Sequence, residues 1–415
     1  MANETKKLSR GKYTFIGEPV LAKEPVQKLE RGTDWILNRL NFGIKVGTNT
    51  QFLTTEFMLK KGETKVRLYD NDGEAFDILP EQGADPRVLA KLPDYKKIIL
   101  DIEDDFEKKE EYTKLYFKIR NIEMRDEKSE ADLEKLEEYK KEFAEKATRR
   151  KEIGHVGALF GAIPQVVEIA KQKGYYIKVT GTIKSNYYKD ENRLQYTPST
   201  IEFVPKDSDK PSDKPRLEIQ TDFFYNKDTF TDFTDEKQIA LSGYLGETAK
   251  GENHLYPTNV VFDYSNVNFE DEKQVAYVDL FREILNTASD DGIYRLGLIL
   301  KVINGAEEKE LTLDDLEDLE RKFVLAGLKT MDDIKKARGT TFGANKQQLK
   351  LINVKTKDLQ TGAVKTFELE ELEGLLPKDD SDVKEKDVKK KSETKELSEE
   401  EAEAQTSNML DGLFG

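Results

Sequence analysis

Val179-Thr180-Gly181-Thr182-Ile183, Glu191-Asn192-Arg193-Leu194 and Tyr196-Thr197-Pro198-Ser199-Thr200-Ile201-Glu202-Phe203 form one short pattern. The chain writes it again as Leu241-Ser242-Gly243-Tyr244-Leu245, Glu252-Asn253-His254-Leu255 and Tyr256-Pro257-Thr258-Asn259-Val260-Val261-Phe262. Gly181 pairs with Gly243, Asn192 with Asn253, Pro198 with Pro257 and Phe203 with Phe262, at an offset that drifts only from 62 to 59. Each copy predicts a β-hairpin, so the sequence implies two related small β units.

Alternate side chains of a strand face opposite sides. Ile177, Val179, Gly181 and Ile183 are therefore expected to point into a barrel, with Tyr176, Lys178, Thr180, Thr182 and Lys184 pointing out. Tyr187, Tyr188, Lys189 and Arg193 crowd the tip of the same hairpin, and Tyr196 follows. In the second copy Tyr244, Lys250, His254 and Tyr256 take the corresponding places. Rings that stack on bases, set among cations that follow phosphates, suit a sequence-tolerant single-strand surface; each stacked base is worth about 1–3 kcal/mol. The bland alternative is that these tyrosines cap a barrel. A Gly between inward apolar residues suits a strand that bends sharply to close a small barrel.

The 415 residues are enough for two or three domains. There is no Cys, which excludes disulfides and thiolate chemistry, and two His make a histidine metal centre improbable. No apolar run is long enough to span a membrane, and the N-terminus lacks the apolar stretch of a signal peptide, so a cytoplasmic protein is expected. The net charge of −15 is unevenly spread. Residues 378–415, 101–152 and 305–335 carry net −5, −4 and −5, which leaves the rest, including the repeated hairpins, near neutral at −1. A local positive groove is compatible with that distribution.

Residues 1–33, with Lys6, Lys7, Arg10 and Lys12 beside Tyr13 and Phe15, read as a flexible basic arm, either a solvated leader or a DNA-contacting segment. From Trp35 the pattern is strand-like through Phe42, Ile44, Val46, Phe52 to Met58 and Val66 to Tyr69, with a turn at Asp70-Asn71-Asp72-Gly73 and a short strand over 98–102. Leu133, Leu136, Tyr139 and Phe143 form one apolar stripe of a charged helix within 128–151. A second helix is expected over 164–172, stopped by Gly174. The first β unit is thus 34–204, with its helical insertion near 104–173. The Pro-punctuated stretch 205–215 reads as a linker, and 216–376 as the second unit: helix 273–287, strand 294–302, a helix starting near Thr312 and strand 349–354. Whether 270–376 completes the second barrel or stands apart is open at this point. Residues 377–415 read as a disordered acidic tail.

Enzyme motifs are weak. Gly339-Thr340-Thr341-Phe342-Gly343-Ala344-Asn345-Lys346 has the wrong spacing for a phosphate loop and Gln347 where Ser or Thr belongs. His155 has no nucleophile at a familiar spacing, and Asp290-Asp291 and Asp314-Asp315 are ordinary in a chain with 82 acids. No catalytic residue, metal site, cofactor or small-molecule substrate is expected.

Residues 393–403 hold six acids and one base, and then Met409-Leu410-Asp411-Gly412-Leu413-Phe414-Gly415 turns apolar. Besides an ordinary frayed terminus, this suits a tethered peptide whose Leu413 and Phe414 enter a partner's pocket while Asp411 and its acidic neighbours meet the rim. The hairpin over 178–204 and this tail resemble those of OB-fold single-stranded-DNA-binding proteins, most closely the two-barrel versions of large tailed phages of Gram-positive hosts. No Pro precedes Phe414 and Gly415 follows it, a departure from the bacterial tail. The resemblance implies an α+β fold of two OB-like small β-barrels with a helical insertion and a helical C-terminal extension. It implies a protein that protects single-stranded DNA in the (host) cytoplasm and recruits replication or recombination proteins through Asp411, Leu413 and Phe414. The alternative, from a different class, is a structural or adaptor protein that assembles through its β units and helical insertion.

Overall fold

A computed structural model describes residues 7–188, 191–235, 237–249, 251–289, 291–305, 321, 324, 330 and 346–377. Burial alternates along Lys12–Arg31 (β1), and a bulge between Leu21 and Val26 bends the strand. Its first half pairs with strands on both edges, and its second half starts a meander with β2 (Trp35–Val46) and β3 (Asn49–Lys60). The expected basic arm is thereby corrected: from Lys12 onward it is a central strand. Tyr13 and Phe15 are buried on its inner face while Lys12 stays exposed on the other. Burial of such rings stabilises by about 1.5–3 kcal/mol each, and strand parity allows it without burying the cation.

After β3 comes an insertion spanning residues 61–158. It begins with the hairpin β4 (Val66–Tyr69) and β5 (Ala75–Ile78), turned at Gly73 with φ +83°, and a short helix α1 (Pro86–Leu89). Then follow β6 (Ile98–Asp101), helices α2 (Phe106–Glu123) and α3 (Glu130–Lys146), and β7 (Arg150–Ile153). Asp105 and Ser129 cap α2 and α3 by accepting from Lys108 N and Asp132 N, as short polar residues do at helix starts. Helix α4 (Leu159–Lys173) packs on β1, β2 and β8, and stops at Gly174 with φ +71°. The first repeated hairpin is β8 (Tyr175–Tyr188) with β9 (Glu191–Pro205).

The second unit runs β10 (Arg216–Tyr225), β11 (Phe230–Phe233), β12 (Gln238–Ala249), β13 (Glu252–Asp263), α5 (Glu272–Asn286), β14 (Gly292–Gly305) and β15 (Lys346–Val354). It ends with α6 (Thr356–Thr361), β16 (Val364–Glu368) and α7 (Leu372–Leu375). β12 pairs with β10 and β13, β13 runs parallel to β15, β15 pairs with β14, and β14 returns to β10. These ladders close a five-stranded barrel whose first to fifth strands stand in the order 1-2-3-5-4, with α5 between the third and fourth. The region after residue 270 thus supplies two staves of this barrel. The expected helix near Thr312 and the loop at 339–345 lie outside the described residues.

The first unit follows the same sequence of elements: β1, β2, β3, then α4, β8 and β9. Its ring is not laddered shut. β3 lies alongside β9 without pairing, and the free edge of β9 is taken at Thr200–Glu202 by the inserted strand β6, in parallel register. The two first strands, β1 and β10, pair antiparallel with each other, Thr14 opposite Glu218. The sheet therefore reads β9-β8-β1-β10-β14-β15, fifth, fourth, first, first, fourth, fifth. One buried cluster runs through both units, from Phe42 and Ile163 to Phe281 and Leu351. The stretch 205–215 joins β9 to β10 but does not separate two cores; Lys206 and Lys210 pair with Glu18 and Glu110. Among the described residues no helix is long and apolar enough to cross a membrane.

Candidate nucleic-acid interface

Residues opposite one another in a ladder share a face. Across β1, β2 and β3 the outward rows are Arg31–Trp35–Lys60, Leu29–Leu37–Met58 and Gln27–Arg39–Glu56. Beyond the bulge they continue as Val20–Gly43–Phe52 and Glu18–Lys45–Thr50. Trp35, Phe52 and Met58 are 41%, 43% and 57% exposed, over a buried Leu37. The Lys60 ammonium stands 5.8 Å from the Trp35 ring centre, within reach of a cation–π attraction. Arg39 and Glu56 pair at 3.2 Å, and the Thr54 hydroxyl donates to Asn41 Oδ1 at 2.8 Å. Gly43 has a local role: a Cβ there would sit 3.2 Å from the Phe52 ring, so glycine leaves room for that ring beside its strand. The opposite parity, Leu40, Phe42, Ile44 and Leu53, is fully buried. The result is an exposed floor of rings and a thioether, with Arg31 and Lys60 at one end and Lys45 at the other.

None of these residues is among those whose sequence pattern pointed to binding. The available signal was apolar parity on both sides of one strand: Phe52 and Met58 alternate with Leu53, Phe57 and Leu59. A core accounts for one of those sides. The chain's single Trp, at the start of β2, was the second signal.

The expected site on β8 and β9 is redistributed. Ile177, Val179 and Ile183 are buried as parity required, and Lys184 is exposed. Tyr176 is half-buried, with Lys206 5.2 Å from its ring centre. Lys178 is corrected: it pairs at 2.9 Å with Glu202, which also receives Lys109 at 2.8 Å. Burial pushes the Glu202 carboxyl up, but the two ammonium groups prevail and hold it below the usual carboxylate range. Lys178 thus neutralises a carboxylate within the fold. Tyr196 is corrected too: it is 3% exposed, its ring centre 5.3 Å from Tyr13 and 5.0 Å from Phe15. A one-residue register shift between Thr180 and Gly181 sets Tyr196 opposite Ile183, on the inner face. Gly181 is needed at this bend, since a Cβ would run into the Thr197 carbonyl. At the tip, Tyr187 is half-buried opposite Asn192, Tyr188 closes the ladder opposite Glu191, and Arg193 is exposed. Lys189 lies outside the described residues.

In the second copy, Tyr244 opposes Pro257 whereas Tyr256 opposes Leu245, so the two rings occupy opposite faces and do not form one row. Tyr244 packs in an apolar cluster with Phe224, Leu255 and Phe367, and burial pushes its phenol pKa up. Tyr256 and His254 share the inner row, 6.2 Å apart, beside Glu247. The Tyr256 phenol is raised by burial and then by Glu247. Glu247 is itself buried at the seam between units, where it accepts from Arg10 at 2.9 Å and from Ser185 N at 3.3 Å. Asn192 Nδ2 donates across the same seam to Thr258 Oγ1 at 3.0 Å. The matched hairpins are therefore not equivalent by position: one supplies the fourth and fifth strands of its unit, the other the second and third. Lys250, Asp411, Leu413 and Phe414 lie outside the described residues.

His155, which has no nucleophile at a familiar spacing in the sequence, accepts from Gly157 N at Nδ1, 3.1 Å away, and burial lowers its pKa to about 4. Among the described residues no three His, Asp or Glu side chains gather as a metal site. No protein-family model matches this chain, and no curated protein is similar enough to count as a relative.

Proposed function

We propose that this chain is a sequence-tolerant single-stranded-DNA-binding protein built on two OB-like units. Strand order 1-2-3-5-4 with a helix before the fourth strand is that of an OB barrel, whose ligand face is formed by strands two and three and the loops beside them. The observation that carries the reading is the face of β2 and β3. Trp35, Phe52 and Met58 lie open on it, flanked by Lys60, Arg31 and Lys45. Bases of any identity stack on such rings while cations follow the backbone. Tyr187, Tyr188 and Arg193, at the ends of the fourth and fifth strands, are proposed as further contacts for the DNA strand, with Lys189 between them in sequence. The acidic tail with Asp411, Leu413 and Phe414 is the element proposed to recruit replication or recombination proteins.

Titration of labelled oligo(dT) and of duplex of equal length, over a range of salt, tests the proposal. Tight single-strand binding that weakens steeply with salt is expected. Equal affinity for duplex, or no binding of either, overturns it. One observation favours the second reading, a protein-assembly role: Phe117, Met124 and Leu133 are exposed on α2, after its end and on α3. Light scattering after size exclusion distinguishes the two, since a large assembly formed without nucleic acid supports the adaptor.

A further inference from the structure

The closed barrel has its own second and third strands, β12 and β13, and on their outward face Tyr244 and Leu255 are not open, whereas Ser242 and Asn259 further along it are exposed. Residues 364–376 cover the Tyr244–Leu255 end. β16 adds to the edge of β14, Phe367 opposite Ile293, anchored by Lys365 to Asp291 at 3.1 Å. The chain then crosses to β13 through α7. Phe367, Leu369, Leu372 and Leu375 close over Phe224, Tyr244, Leu255 and Ile293, with Leu8 at the margin. This cluster stands apart from the main core. The covering strap is only half-buried, and its outward residues Glu368, Glu370, Glu371 and Glu373 are all exposed acids.

The strap thus has the two properties of a bound strand: apolar groups set against the barrel and negative charge facing away at close intervals. It occupies, on the second unit, the face that the first unit leaves open through Trp35, Phe52 and Met58. Its apolar contacts form a satellite cluster apart from the barrel's interior, and its backbone is held by the ladder of β16 on the edge of β14. We propose that residues 364–376 cover a second, latent single-strand face on β12 and β13, which a strand displaces them to reach once it extends beyond the first face. This rests on the reading of the first unit as a single-strand binder.

Hydrogen exchange on the full chain tests it, with short and long oligo(dT) as probes. Long oligo(dT) is expected to speed amide exchange across 364–376, while an oligomer spanning only one unit leaves it unchanged. Unchanged or slower exchange with the long probe, while that probe is bound, overturns the proposal. A second arm uses Trp35→Ala with and without Leu372→Asp and Leu375→Asp, each checked for an intact fold by circular dichroism. Opening the strap is expected to restore oligo(dT) affinity by about tenfold in the Trp35→Ala chain. No gain in the folded triple variant counts against the latent face. Undiminished binding by Trp35→Ala alone counts instead against the first-unit reading.

Discussion

The two units share an order of strands and differ in what lies on strands two and three. On the first, the row from Trp35 to Phe52 faces solvent. On the second, Tyr244 and Leu255 lie beneath residues 364–376. The first unit spends its extra chain elsewhere: the insertion packs Val66, Ile78, Val88 and Leu92 against Phe57 and Leu59, on the side of β3 opposite Met58 and Lys60. An aromatic residue on a β unit is therefore not by itself a binding residue. Rings beneath a covering segment hold the fold, and rings left uncovered are available to a ligand.

Substitutions on the two kinds of ring test that contrast. The largest effect is expected at the buried ring Tyr196. Tyr196→Ala should lower stability by about 3–5 kcal/mol, because it leaves a cavity beside Tyr13 and Phe15. Below its melting transition the variant should keep its oligo(dT) affinity. A selective loss of binding with an unchanged melting temperature would return Tyr196 to the interface. Trp35→Ala should do the reverse, weakening oligo(dT) binding by about 1–3 kcal/mol, or roughly 5- to 150-fold, at nearly constant melting temperature.

The pH dependence is expected to be smaller. The folded His155 pKa of about 4 lies below its ordinary value of 6.5, so the unfolded chain binds the proton first as pH falls. This contribution to stability is complete above about pH 6.5 and declines toward pH 4, by at most about 1.4 kcal/mol per pH unit. Thermal melts of the native chain and of His155→Gln across that window check it; equal slopes would show that another group is responsible. The smallest effect is Lys60→Ala, which should reduce the salt slope of binding by about one if Lys60 meets a phosphate. An unchanged slope would confine Lys60 to its contact with Trp35.

Much of this fold was legible as strand and helix. The periodic segments that became α3, α4, α5, β14 and β15 have clear starts, stops or parity, such as Gly174 after α4. Topology was less legible. The repeated hairpins are alike because both need a glycine where the backbone closes on a neighbour, Gly181 on the Thr197 carbonyl and Gly243 on that of Phe224. That local requirement recurs at different positions of a barrel, so likeness in sequence did not mean equivalence in space. The placement of two expected site residues was hidden for a related reason. A one-residue shift at Gly181 reversed the parity of Tyr196, and the carboxylate that engages Lys178 lies on the neighbouring strand. Residues 1–33 misled through composition: their cations are conspicuous, whereas the pairing of β1 with β8 and β10 links residues 160 or more positions apart.

The chain's only Trp stands in the proposed interface, which makes its own fluorescence the most direct probe. Oligo(dT) added to the full chain should quench Trp35 emission in a saturable manner. The quench should reverse with salt, and Phe52→Ala should weaken it by several fold. Saturable binding of oligo(dT), seen through a label on the DNA, with no change in Trp35 emission would contradict the assignment of the β2–β3 face.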